Sequence, residues 1–131
     1  MGEAEDVVRR RRAQESAISE EEMREFRILK AWIGELIPQA IENLRRHDYP
    51  NRKAVNLRHQ GESRVGWQLW YDTEGFGIYL LGDGVLVQDS STRGENPLYT
   101  LTPHSVWPYK INETARAIKE ALEFLATTDF S

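Results

Sequence analysis

Cysteine is absent from the 131-residue sequence. A chain without thiols forms no disulfide framework, offers no thiolate nucleophile and cannot build a zinc site of the cysteine type. The same absence fits a reducing compartment. Functions that depend on disulfides or thiols are therefore excluded, and the fold has to be stabilised by its hydrophobic core.

Long apolar runs are also missing. No stretch approaches the ~20 residues that a membrane span needs, and the first residues lack the apolar segment of a secretory signal. We therefore expect a soluble, cytoplasmic protein without membrane contact. The chain length and a hydrophobic content of 40% fit one domain. We expect a flexible charged tail over residues 1–18, which includes the run Arg9–Arg12, and a single domain over residues 19–131.

A phosphate-binding glycine motif is missing as well, although one stretch is rich in glycine. In GWQLWYDTEGFGIYLLGDGVLVQD, residues 66–89, four glycines follow two tryptophans. A dinucleotide site places its glycines between a strand and a helix, and a P-loop adds a Gly-Lys-Ser/Thr end. Here strand-like residues follow the glycines, and no such end is present. The pattern therefore indicates hairpin turns, and we expect no cofactor.

Metal ligands and catalytic bases are few. The three histidines are His47, His59 and His104, and none lies three or four residues from another. That spacing gives no zinc motif, so we expect no metal site and name no catalytic residue. An enzyme would have to use His59 or His104 together with Asp72 or Asp89, and this requires the imidazole and the carboxylate to lie within hydrogen-bonding distance.

Two segments carry apolar side chains at helical spacing. The first begins at Ser19, which forms a capping box with Glu22, and it contains Pro38, which should kink or break the helix. The second begins at Asn112, a predicted N-cap. The first stripe is Met23, Phe26, Leu29, Ile33, Leu36 or Ile37, Ala40 and Leu44, and the second is Ala115, Ile118, Leu122 and Leu125. We therefore expect one helix at each end of the domain.

Between these helices the residues alternate with a period of two. Segments from Val55 to Leu86 read as strands separated by glycine-containing turns, and PLYTL at residues 97–101 reads as a weaker fifth strand. The predicted fold is therefore α+β: an antiparallel meander of four or five strands, flanked by an N-terminal kinked helix and a C-terminal helix.

The charges are distributed unevenly along the chain. Residues 45–64 carry six basic and two acidic side chains, whereas residues 72–95 carry five acidic and one basic. The basic segment 45–64 favours a nucleic-acid-associated protein as one alternative, because arginines can contact phosphates. The overall pI of about 5.4 is lower than that of most such proteins, so we regard nucleic-acid binding as the weaker alternative.

One face of the predicted sheet has a surplus of aromatic residues. If Val65, Trp67, Leu69 and Tyr71 face the helices, then the opposite face receives Trp70. The same face receives three further side chains if the strands are in phase: Tyr79, Leu81 and Leu86. Either the rest of the chain covers them or a partner does. The main hypothesis is a non-catalytic protein-interaction module of the adaptor, inhibitor or immunity type, which binds a protein partner or itself through these residues and through Asp83 and Asp89 in the acidic hairpins.

The second alternative is a small-ligand binding domain. Its aromatic pocket would lie between the sheet and the segment 97–109. The side chains expected to line that pocket are Trp67, Tyr99, Trp107 and Tyr109.

Overall fold

The computed structural model describes residues 18–52, 54–71, 76–89, 95–103 and 111–130. Within these ranges the chain forms two helices and one four-stranded antiparallel sheet with strand order β1-β2-β3-β4. The elements are α1 Glu20–Arg46, β1 Ala54–His59, β2 Glu62–Tyr71, β3 Gly77–Leu81, β4 Leu86–Gln88 and α2 Ile111–Thr127. The predicted α+β meander with a helix at each end is confirmed.

Helix α1 begins as the sequence predicts. The hydroxyl of Ser19 accepts a hydrogen bond from the amide of Glu22 at 3.1 Å and donates one to the Glu22 carboxylate at the same distance. Of the kink or break predicted at Pro38, the break does not occur: α1 is one helix that continues through the proline to Arg46. Proline has no N–H group, so the carbonyl of Gly34 lacks its usual hydrogen bond from residue 38. Both residues lie on the exposed side of the helix, where water can bond that carbonyl.

Helix α2 packs along α1 and against β2. Asn112 lies inside its first turn, so the predicted N-cap role is wrong. The Asn112 side chain instead donates to the main-chain carbonyl of Glu22 at 3.2 Å and joins the two helices. Asn43 makes a similar link at the other end, where it donates to the carbonyls of Leu125 and Thr128 at 2.8 Å each. Neither helix in the described ranges is apolar enough over a sufficient length to cross a membrane.

A bulge in β2 changes which side chains face the helices. Gln68 pairs with Tyr79, but the next pair is Trp70 with Ile78, so Leu69 is an extra residue. Directly paired residues point to the same face of a sheet. Trp70 therefore lies on the same face as Ile78 and packs against the helix-side core, together with Leu69. The predicted position of Trp70 on the opposite face is wrong, because strict alternation does not allow for the extra residue.

The sheet is curled so that its two edge strands contact the same segment. The main-chain amide of Asn96 donates to the carbonyl of Arg58 in β1 at 2.6 Å, and the Asn96 side-chain oxygen accepts from the main-chain amide of Arg58 at 2.9 Å. The amide of Gln88 in β4 donates to the carbonyl of Pro97 at 2.9 Å. Residues 96–99 thus connect the two edges. The predicted fifth strand is reduced to an isolated bridge within this segment, between Val87 and Leu98.

This curl divides the apolar side chains into two clusters. The larger cluster lies between the sheet and the helices and includes Trp67, Leu80, Leu44 and Ile118. The smaller cluster lies on the other face and comprises Leu57, Tyr79, Leu81 and Val87. A Cβ on Gly66 would stand 2.5 Å from Leu57 Cδ1 and 3.2 Å from the Leu80 carbonyl oxygen, so a larger residue in β2 would displace the Leu57 side chain and press on the main chain of β3.

Candidate protein-interaction surface

The sheet-face cluster predicted from the sequence does not form one exposed surface. Tyr79 and Leu81 belong to the smaller buried cluster, whereas Trp70 and Leu86 pack against the helix-side core. The placement of Leu86 on the far face is therefore wrong, as it is for Trp70. The curled sheet itself covers the surplus apolar residues, so these four side chains do not meet on one open face.

The two carboxylates predicted to bind a partner have internal partners instead. Asp83 Oδ2 pairs with Arg64 at 2.7 Å, and its Oδ1 accepts from the Val85 amide at 3.2 Å. Partial burial acts to raise the pKa of Asp83, but the hydrogen bonds from Arg64 and Val85 and the positive charge of Arg64 outweigh it, so the pKa is lowered. Asp89 accepts a long hydrogen bond of 3.4 Å from the side-chain amide of Asn96.

Tyr79 lies close to Asp89 beneath the curled sheet. Burial raises the pKa of the Tyr79 hydroxyl, and the carboxylate of Asp89 and the hydroxyl of Tyr71 raise it further. A Cβ on Gly77 would stand 2.7 Å from this hydroxyl, so the tyrosine ring lies across the glycine. Because its pKa is raised, the Tyr79 hydroxyl stays protonated at neutral pH, as expected of a side chain with a structural role.

Two of the four residues predicted to line an aromatic pocket, Trp67 and Tyr99, are among the described residues. Trp67 and Tyr99 are both buried in the helix-side core. The indole of Trp67 packs against Tyr49, with ring centroids 6.1 Å apart, and donates to the carbonyl of Pro50 at 3.2 Å. The other two predicted lining residues, Trp107 and Tyr109, lie outside the described residues. Trp67 and Tyr99 pack within the core, and an aromatic pocket that also involves Trp107 and Tyr109 stays a prediction.

The basic segment 45–64 does not present a continuous row of unpaired arginines. Arg58 pairs with Glu95 at 3.3 Å, Arg64 with Asp83, and Arg45 with Glu42. The guanidinium of Arg52 lies over the ring of Phe124, 5.5 Å from its centroid. These partners are on different elements and reduce the positive charge available to a phosphate backbone.

Of the histidines and aspartates that an enzyme would use, His59 and Asp89 lie within the described residues. The buried imidazole of His59 donates from Nδ1 to the carbonyl of Asn96 at 2.7 Å. Asp89 contacts the same asparagine through its side chain, and no hydrogen bond between His59 and Asp89 is present among the described residues. His104 and Asp72 lie outside them. Within the described part of the chain, no three histidine or acidic side chains are close enough to hold a metal ion.

The largest exposed apolar side chains on adjacent turns are Ile28 and Trp32 of α1. Their exposed fractions are 59% and 50%. Residues four apart on a helix lie on the same face, so the two form one apolar surface, which we call the Ile28–Trp32 surface. The ammonium group of Lys119 in α2 stands 5.3 Å from the Trp32 ring centroid and forms an ion pair with Glu123. The indole is therefore supported on one side and open on the other.

The pattern of α1 could have revealed this surface. The buried stripe of α1 runs through Leu29, Ile33 and Leu36, and Ile28 and Trp32 are large apolar residues outside it. A helix whose apolar positions exceed the width of one stripe has a second apolar face. The sequence prediction missed the surface because it considered only the surplus of apolar residues on the strands.

A polar cleft of about 370 Å³ lies close to the Ile28–Trp32 surface. It is formed where the first turns of α1 and α2 meet, and Glu25 in this cleft is one turn from Ile28. The lining residues are Glu22, Glu25, Asn112, Glu113 and Arg116. An apolar surface and a charged cleft are thus adjacent on the helix pair.

Comparisons with known proteins give no match: no family model fits the sequence, and neither the curated proteins nor the solved structures include a similar one.

Proposed function

We propose that this protein is a non-catalytic interaction module that binds a partner protein through the Ile28–Trp32 surface. The observation that carries the proposal is the half-exposed indole of Trp32 beside the exposed side chain of Ile28. Tryptophan is one of the residues that dominate binding energy at protein interfaces, and an apolar neighbour helps to exclude water around it. We also propose a cytoplasmic location, in keeping with the absence of cysteine.

The packing around the indole supports this role. Lys119 lies over one side of the Trp32 ring and is itself ion-paired with Glu123. A side chain that is already held in place loses little conformational entropy when a partner binds. Trp32 is therefore preorganised for contact on its open side.

The position of the acidic and basic groups also supports a protein partner over a nucleic acid. Three arginines of the segment 45–64 are ion-paired with carboxylates, and the overall charge is −4. A nucleic-acid surface needs unpaired cations in excess. We therefore place the contact with the partner protein on α1. Asp83 and Asp89 in the hairpins form hydrogen bonds within the chain.

The test is affinity capture from native cell extract with the full-length protein, followed by measurement of the dissociation constant with the purified partner. Trp32→Ala should abolish capture and weaken binding by ~30-fold, which corresponds to ~2 kcal/mol at a hot spot. Because Trp32 is half-exposed, the thermal melting temperature should change little.

Tyr71→Ala is the matched control, since Tyr71 is an aromatic residue of the sheet with an exposed fraction of 53%. This variant should capture the partner as well as the wild type does. Capture lost by Tyr71→Ala but kept by Trp32→Ala would instead assign the contact to the sheet and contradict the proposal. A dimer in light scattering that Trp32→Ala converts to a monomer, without any captured protein, would show that the surface serves self-association.

A further inference from the structure

The cleft beside the Ile28–Trp32 surface carries more negative than positive charge. Three carboxylates, those of Glu22, Glu25 and Glu113, surround one guanidinium, that of Arg116. Glu25 is already engaged, because its Oε1 accepts from Arg116 and its Oε2 accepts from the Asn112 side-chain amide at 3.0 Å. Glu113 is exposed and has no hydrogen bond or ion pair with any described residue. The Glu113 carboxylate can therefore accept hydrogen bonds from a group bound in the cleft.

Asn112 supplies a second, independent feature. Its side chain is 5% exposed, and its amide nitrogen makes two hydrogen bonds, to the Glu22 carbonyl and to the Glu25 carboxylate. Its carbonyl oxygen Oδ1 is buried and has no hydrogen-bond partner among the described residues. A buried acceptor without a donor destabilises the fold, so it is a position where a bound group with N–H donors would restore a missing interaction.

We infer that this cleft binds a cationic side chain, arginine or lysine, of the partner protein. The inference rests on the proposed function and specifies the chemistry of the partner. Carboxylates and an amide oxygen are acceptors only, so they select a group that has several N–H donors and positive charge. The arrangement fits an organic cation better than a metal ion, because no metal-binding group of carboxylates is formed in the described part of the chain.

The positions along α1 define the spacing that the partner must have. Glu25, which marks the position of the cleft along α1, is seven residues from Trp32, or ~10 Å at the helical rise. A partner that places an apolar side chain on Trp32 would therefore carry its cationic side chain ~10 Å away, as two positions seven apart on a helix do. The partner segment is accordingly basic at one end and apolar at the other.

The test uses N-acetyl-arginine amide as a small probe, with N-acetyl-citrulline amide as its neutral analogue of the same size. Both are titrated into the full-length protein, and the NMR signals of the Asn112 side-chain amide and of the Glu113 and Arg116 main-chain amides are followed. We expect saturable shifts with the arginine compound, with a dissociation constant on the order of millimolar, and none with citrulline. Glu113→Gln should weaken binding by ~5-fold, because it removes a charge-assisted hydrogen bond.

Glu120→Gln is the matched control, because Glu120 is exposed on the same helix and does not line the cleft. It should leave the titration unchanged. Equal shifts with the citrulline compound, equal weakening by Glu120→Gln, or no saturable shift with the arginine compound would each overturn the inference. These results would not affect the proposed function, which is tested separately by partner capture and light scattering with Trp32→Ala.

Discussion

Buried asparagines make the links between elements that are distant in sequence. Asn43 connects the end of α1 with the carbonyls at the end of α2, and Asn112 connects the beginnings of the same two helices. Asn96 connects the two edges of the sheet. An asparagine side chain offers a donor and an acceptor together, so it can bond to main-chain groups in places where the regular ladder ends. These residues hold the helix pair in register, and the Ile28–Trp32 surface depends on that register.

A charged pair at the residue scale gives a pH prediction. The pKa of Asp83 is lower in the folded protein than its ordinary value, so the carboxylate stabilises the fold above about pH 4, the ordinary value for aspartate. That stabilisation is lost as the pH falls through the lowered pKa. Arg64→Gln should remove most of it, and since Asp83 is well exposed the difference should be only ~0.5 kcal/mol.

Urea unfolding of both proteins at pH 7 and pH 3 measures this difference. The wild type should lose more free energy of unfolding between the two pH values than Arg64→Gln loses. Equal losses would show that the Asp83–Arg64 pair contributes nothing to the pH dependence.

At the scale of elements, the helices and strands follow from their periodicity, but the bulge does not. The capping box at Ser19 and Glu22 and the period of two in β2 locate these elements correctly. The extra residue at Leu69 moves Trp70 to the helix side, and nothing in the local sequence distinguishes this register from strict alternation. The burial of Trp70 against Ile78 and the helices selects this register, and that packing depends on the tertiary fold.

Side chains of β1 and β3 that pack over Gly66 in β2 give a prediction at this scale. Gly66→Ala should lower the free energy of unfolding by ~2 kcal/mol, because its Cβ would meet Leu57 and the main-chain oxygen of Leu80. Gly34→Ala is the matched control: no atom lies within 4 Å of its Cβ, and alanine in a helix should stabilise by up to ~1 kcal/mol. Chemical denaturation of both variants measures the two values. A Gly66→Ala protein as stable as the wild type would mean that the strands separate more easily than the packing indicates.

At the scale of the whole molecule, the site was harder to predict than the fold. A four-stranded meander with two helices can be predicted from the sequence, and so can the presence of apolar residues on both faces of the sheet. The covering element is the curled sheet itself, through contacts between Asn96, Arg58 and Gln88 that are far apart in sequence. The helices cover one face of the sheet and its curl covers the other, and among the described residues Ile28 and Trp32 are the large exposed apolar side chains on adjacent turns of α1. Long-range pairing therefore determined where the open surface lies.

Closure of the sheet by Asn96 can be tested directly. Asn96→Ala removes the acceptor for the Arg58 amide and should lower the free energy of unfolding by ~1 kcal/mol, since a part-buried donor loses its partner. Amide hydrogen exchange at Arg58 should accelerate, because the edge of β1 opens. Asn56→Ala, which changes an exposed asparagine of the same strand, should alter neither value. If Asn96→Ala were as stable as Asn56→Ala, the curl would not depend on this residue. Because the Ile28–Trp32 surface is on α1, capture of the partner should persist in both variants, which separates closure of the sheet from binding.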